Sequence, residues 1–162
     1  MVRLGRGMSK EEFAPQFLPM QDADIDVVIK NERRAYSHPW TEGIFRDCLA
    51  SGNECWMLMV AQRIVGHAIL SMGAGESHLL NICVNPEFQG QGFGEQLLVH
   101  IVERAIVNRC SCVFLEVRAS NLTAYKLYER QGFNEIGIRK NYYPGHMGGE
   151  DALVLVKELI LE

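Results

Sequence analysis

Leu79-Leu80-Asn81-Ile82-Cys83-Val84-Asn85-Pro86-Glu87-Phe88-Gln89-Gly90-Gln91-Gly92-Phe93-Gly94 is the stretch on which the fold turns. An apolar run ends at Val84, and Pro86 forbids its continuation as a strand. Two glycines, Gly90 and Gly92, then precede a segment whose apolar residues Phe93, Leu97, Leu98, Ile101, Val102, Ala105 and Ile106 recur at helical spacing. Strand, glycine loop and helix follow one another directly. Glycines let successive backbone N–H groups converge without Cβ obstruction, and the positive end of a helix dipole adds to that cavity, which suits a pyrophosphate. A structural tight turn uses the same residues. No Lys-Ser or Lys-Thr pair follows, which excludes a P-loop, and several antiparallel-looking strands come first, which fits a dinucleotide fingerprint poorly.

Upstream, Phe13 to Met20 reads as a strand and Asp22 to Arg34 as a helix, with Asp22 or Asp24 as cap and Ile25, Val28 and Ile29 on one side. His38-Pro39-Trp40 is a loop, and Thr41 caps a second helix whose stripe is Ile44, Phe45, Cys48 and Leu49. Cys55 to Ala61 and Ile64 to Met72 form a hairpin, and His78 to Val84 is the next strand. Downstream, Val113 to Val117 has the apolar continuity of a central strand, broken by Glu116. Asn121 to Gln131 is a helix stopped by Gly132, and Glu135 to Arg139 and Ala152 to Leu159 are the last strands. The order β-α-α-β-β-β-α-β-α-β-β, without internal repeat or linker, predicts one α/β domain over residues 13–162 with a mixed sheet, after a flexible leader at 1–12.

Composition narrows the function. With 162 residues, 48% hydrophobic and 22% charged, the chain is an ordinary globular domain. No run approaches the roughly 18 apolar residues of a membrane span, so a cytoplasmic protein without membrane contact is expected. A net charge of −4 argues against direct nucleic-acid binding, which needs a basic face. The five cysteines, Cys48, Cys55, Cys83, Cys110 and Cys112, form no CxxC pair and lie mostly in apolar runs, so core thiols and no metal are expected. A monomer or weak dimer is the expected state.

Asn81 to Pro86 followed by Gln89-x-x-Gly92-x-Gly94 resembles the acyl-CoA motif of the GNAT superfamily. A second block is more specific: Leu115-Glu116-Val117-Arg118-Ala119-Ser120-Asn121, then Ala124, Tyr128, Gly132-Phe133 and Arg139 to Pro144. Together the blocks are similar to RimI-type ribosomal-protein-alanine N-acetyltransferases from about Ala35 to Leu155. The resemblance implies the GNAT acyl-CoA N-acyltransferase fold, acetyl-CoA as cosubstrate, and a ribosomal protein's N-terminal alanine as acceptor. It implies that Ile82, Cys83 and Val84 pair with the pantetheine arm. By the same likeness the loop that opens at Gln89, with Gly90, Gln91, Gly92, Phe93, Gly94 and Glu95, holds the pyrophosphate, and Asn121 contacts CoA. Glu116 is implied as proton acceptor, Tyr128 as general acid, and Trp40, Tyr142 and Tyr143 as walls for the peptide. Family members often carry basic residues where Gly90 and Glu95 stand, so charge assistance to CoA is reduced here.

The chemistry agrees with those roles. A peptide α-amine, with a pKa near 8, must lose a proton before it attacks, and Glu116 is the only ionisable group between Val113 and Val117. Its competing reading is a pair with Arg118, two residues on and on the same face. Tyr128 carries a proton at neutral pH and follows Asn121 by two helical turns, roughly 10 Å, so both line one face. It also reads as a core aromatic, and Trp40, Tyr142 and Tyr143 as hydrophobic filler. His67, His78 and His100 read as core or surface residues, and His146 lies near the substrate loop expected from Pro144 to Gly149 without an evident partner. Three rival functions remain: acetylation of lysines or small amines, a Cys83 acyl-enzyme, and a CoA-binding module without catalysis.

Overall fold

The amphipathic stripe Ile25, Val28, Ile29 winds into α1 (Ile25–Ala35), preceded by a 3-10 turn at Asp22–Asp24 whose Asp24 carboxylate accepts from the Gln21 N–H. The computed structural model describes residues 14–145 and 148–161. The expected leader and His146 lie outside the described residues. β1 is Gln16–Pro19, and α2 (Glu42–Ala50) starts as expected at Thr41, whose hydroxyl accepts from the Ile44 N–H at 3.3 Å. β2 (Glu54–Val60) and β3 (Arg63–Gly73) meet across Ala61-Gln62, both with positive φ, a two-residue turn one position earlier than the sequence suggested. β4 is Glu76–Val84, and a 3-10 turn at Pro86–Phe88 leads to α3 (Phe93–Val107). β5 (Cys112–Arg118), α4 (Leu122–Arg130), β6 (Asn134–Gly145) and β7 (Gly148–Glu158) complete the order.

The strands form one mixed sheet in the order β1-β2-β3-β4-β5-β7-β6. β4 and β5 run parallel, with Ser77, His78 and Leu79 opposite Val113, Phe114 and Leu115, whereas β1–β2, β5–β7 and β6–β7 are antiparallel. Two compact units divide the domain. The first, up to Ile69 together with Asn81–His100, is built on Ile25, Val28, Phe45, Leu58, Val65, Ile69, Leu97 and Leu98, all without exposed surface. The second, Leu70–Leu80 and Ile101 onward, is built on Leu70, Leu79, Ile101, Val113, Leu115, Val117, Phe133 and Leu155. All five cysteines are buried and free. No helix among the described residues is long and apolar enough to cross a membrane.

Two expectations are corrected. Pro144, Gly145, Gly148 and Gly149 are strand residues and not loop: β6 runs on to Gly145 and β7 starts at Gly148, with Tyr143 opposite Glu150 and Pro144 opposite Gly149. The proline is tolerated because β6 is the sheet edge, where a missing N–H breaks no ladder. Between Arg139 and Tyr143 the register shifts, and Asn141 takes φ 52° with its N–H on the Asp151 carboxylate. Nor is β5 buried on both faces: Val113, Leu115 and Val117 point into the core, and Phe114, Glu116 and Arg118 lie on a partly exposed face.

Gly66 marks a close approach of β3 to β4. A Cβ there would lie 2.8 Å from the Cys83 carbonyl oxygen and 3.5 Å from Leu97. Gly66→Ala is therefore expected to lower the unfolding free energy by about 1–3 kcal/mol, because a main-chain atom has to move. A urea midpoint equal to that of the unaltered protein contradicts that packing.

Candidate active site

β4 ends in Ile82, Cys83 and Val84, of which Ile82 and Val84 are half-buried and Cys83 faces the core. Its thiol sits 3.9 Å from the Asn31 carbonyl, and burial, with the Glu32 carboxylate behind it, pushes its pKa well above that of a free thiol. Cys83 is thus a poor nucleophile, and the structure gives no support to an acyl-enzyme through it. Asn85 then fastens the turn: its N–H reaches the Val65 carbonyl, its side-chain oxygen accepts from Glu87 and its amide donates to Asn31. The Gln89 side chain donates back to the Val84 carbonyl at 3.0 Å.

Gly90 and Gly92 take φ of 76° and 84°, conformations that suit glycine, and no atom lies within 4 Å of where a Cβ would project from either. Gln91 is exposed, Phe93 is buried against Phe88, and Gly94 and Glu95 stand in the first turn of α3. The amides of that first turn have no intrahelical acceptor. An open space rimmed by main-chain N–H groups at the positive end of a 15-residue helix fits a pyrophosphate.

In the second unit β5 presents Glu116, whose side chain is 13% exposed. His78 Nε2 lies 2.5 Å from one carboxylate oxygen and Arg139 Nη1 3.4 Å from the other. The guanidinium of Arg139 also lies 4.1 Å above the Tyr142 ring, and that of Arg118 4.5 Å above Tyr143. The Tyr143 phenol is pushed up to about 12, by burial first and then by the Glu116 charge. The rival pairing fails: Arg118 bonds Glu150 at 3.1 Å and the Pro144 carbonyl at 2.8 Å, not Glu116. So the structure gathers Glu116, Tyr142 and Tyr143 and adds His78, expected as a core or surface residue, and Arg139, which the sequence placed in the second block without a role. The signal for His78 was a register: it is opposite Phe114, two residues before Glu116 on the same face of β5.

Tyr128, 5% exposed, sets its ring edge against Phe133 with centroids 5.8 Å apart, and burial raises its phenol far above its ordinary pKa. The ring is part of the core, and its phenol holds its proton firmly. Asn121 caps α4, its side-chain oxygen accepting from the Ala124 N–H at 3.2 Å, which leaves its amide N–H groups for a ligand. In the first unit the Trp40 ring meets Phe45 at 5.3 Å, and the main-chain N–H of Trp40 donates to Glu32. Glu32, His67 and Cys83 bring ligand atoms within 4.8 Å of one another, but both Glu32 oxygens are already engaged by side-chain and main-chain nitrogens. That cluster is a polar core network.

The sequence profile of the Acetyltransferase (GNAT) family matches residues 24–133. A [ribosomal protein bS18]-alanine N-acetyltransferase from Escherichia coli strain K12 is 36% identical over 136 residues, 84% of this chain and 92% of its own. A putative enzyme of the same description from Bacillus subtilis is 33% identical over 138 residues, 84% and 90% of the two chains. The crystal structure of the Escherichia coli ribosomal-protein-S18-alanine N-acetyltransferase superposes with a TM-score of 0.87 at 33% identity, covering 92% of this chain and 96% of that one.

Proposed function

The chain belongs to the acetyltransferase (GNAT) family, and from that premise we propose that it acetylates the α-amine of the N-terminal alanine of a ribosomal protein by direct attack on acetyl-CoA. The observation that carries this reading is a carboxylate on β5, Glu116, set among His78, Arg139 and two tyrosines. Acetyl-CoA supplies an acetyl group activated as a thioester. Ile82, Cys83 and Val84 would bind the pantetheine arm through their main chain, with the Val84-region amides polarising the thioester carbonyl. The amides from Gly90 to Glu95 would take the pyrophosphate and Asn121 the cofactor's arm. Glu116 accepts the proton that the ammonium form of the substrate must lose, and Tyr128 keeps a proton for the departing sulfur. Tyr142, Tyr143 and Trp40 would wall the peptide's first residues.

A peptide amine suits this site better than a lysine on simple grounds. At neutral pH about a tenth of an α-amine with pKa near 8 is neutral, against well under a hundredth of a lysine amine near 10.4, so one carboxylate suffices as base. The deciding measurement compares an alanine-starting peptide with a twin that is N-blocked and contains lysine. Turnover of the first alone is expected; equal turnover of the twin shows a lysine acetyltransferase, and CoA binding without turnover of either shows a silent module.

The loop from Pro86 to Gln96 contains no lysine or arginine. Its hold on phosphate is therefore expected to rest on backbone donors, which salt screens less than exposed side-chain charges. CoA affinity measured by calorimetry should fall less than about 3-fold between 0.05 and 0.5 M salt. A steep decline would assign the grip to distant cations instead.

A further inference from the structure

The stripe Ile25, Val28, Ile29 on α1 continues, at the next helical position, not with an apolar residue but with Glu32, a carboxylate 1% exposed. A buried charge is unfavourable unless its oxygens are met. Here they are met from three elements. His67 Nε2 of β3 lies 2.9 Å from Oε2, while Oε1 accepts from the Asn81 side-chain amide of β4 at 3.0 Å and from the Trp40 N–H at 3.3 Å. One helical turn on, Tyr36 donates its hydroxyl to the carbonyl of Ile82, the next residue of β4. The turn Tyr36–Trp40 is thus tied to two adjacent residues of one strand, directly to Ile82 at Tyr36 and through Glu32 to Asn81 at Trp40.

We infer that Glu32 is a positioning residue for the acceptor peptide: it fixes the Trp40 turn to β4 at Asn81, beside the main-chain segment that takes the pantetheine arm. The inference rests on the reading of Trp40 as a wall of the peptide site. A hydrophobic pair in place of Glu32 and His67 would fill the same volume at equal or greater stability. The contribution of the carboxylate is therefore directional, since its lone pairs specify where the Trp40 N–H sits, and an apolar side chain specifies nothing there.

Steady-state kinetics with an alanine-starting peptide and acetyl-CoA test this on three variants. The double variant Glu32→Met/His67→Leu is expected to raise the peptide KM about 10-fold, the effect of one lost positioned hydrogen bond, with the acetyl-CoA KM within about 2-fold. Glu32→Gln should recover the peptide KM to within about 3-fold, because an amide oxygen still accepts from Trp40 and Asn81. Trp40→Ala should raise the peptide KM as the double variant does. A double variant with an unaltered peptide KM, beside a Trp40→Ala variant that is impaired, overturns the inference and leaves the function standing. Equal losses toward both substrates reduce Glu32 to a packing role, and an unimpaired Trp40→Ala removes the premise and the inference with it.

Discussion

Glu116→Gln is expected to lower kcat/KM for an alanine-starting peptide about 10²–10⁴-fold at pH 7, the usual contribution of a positioned general base. The amide occupies the same volume and still offers one oxygen to His78 or Arg139, so unfolding by heat should change by only a few degrees. Two losses combine. The proton acceptor is gone, and the negative charge that offsets Arg139 beside the incoming ammonium is gone with it. The residual reaction then depends on whatever neutral amine solution provides. Below its pKa near 8 that fraction rises about tenfold per pH unit, so the variant's rate should climb steeply from pH 6 to pH 8 and level off above. Full activity in the variant would dismiss Glu116 as the base. A residual rate flat across that range would show that deprotonating the amine does not limit it.

What was legible in the sequence had a period or a punctuation mark. Thr41 before an apolar stripe, the strand broken by Pro86, the glycine loop and the seven-strand order all came from local patterns, and the structure repeats them with end points within three residues, except where β6 and β7 run on toward each other beyond Arg139 and before Ala152. What was not legible depends on register. His78 meets Glu116 only because β4 lies parallel to β5 with His78 opposite Phe114, and a single sequence does not state which strands pair. Arg139 reaches the same carboxylate from β6, which is separated from β5 by β7. The arm of β6 and β7 beyond Arg139 was hidden by its composition: Asn141, Pro144 and the glycines are turn-formers, and an edge strand can carry them. Glu32 was hidden for the opposite reason. It falls on an apolar stripe, where helical spacing anticipates a hydrophobe.

Tyr128→Phe is expected to lower kcat about 10–10²-fold while the acetyl-CoA KM changes less than about 3-fold, a smaller loss than at Glu116 for a reason that lies in the acidities. A thiol near 8.5 is a stronger acid than a phenol near 10, and burial pushes Tyr128 higher still. Full transfer of its proton to a solvated thiolate would run uphill. A thiolate released into the same dry surroundings is also made more basic by desolvation, which narrows the gap and turns the phenol into an effective hydrogen-bond donor to developing charge. The ring contact with Phe133 survives the substitution, so stability should hold or rise slightly. The role predicts a dependence on the leaving group that packing alone does not. With an acetyl thioester of a more acidic thiol, less stabilisation of the sulfur is needed, and the defect of the variant should shrink toward unity. A defect of the same size with both thioesters would confine Tyr128 to shaping the core around Phe133, and the proton for sulfur would then come from another group.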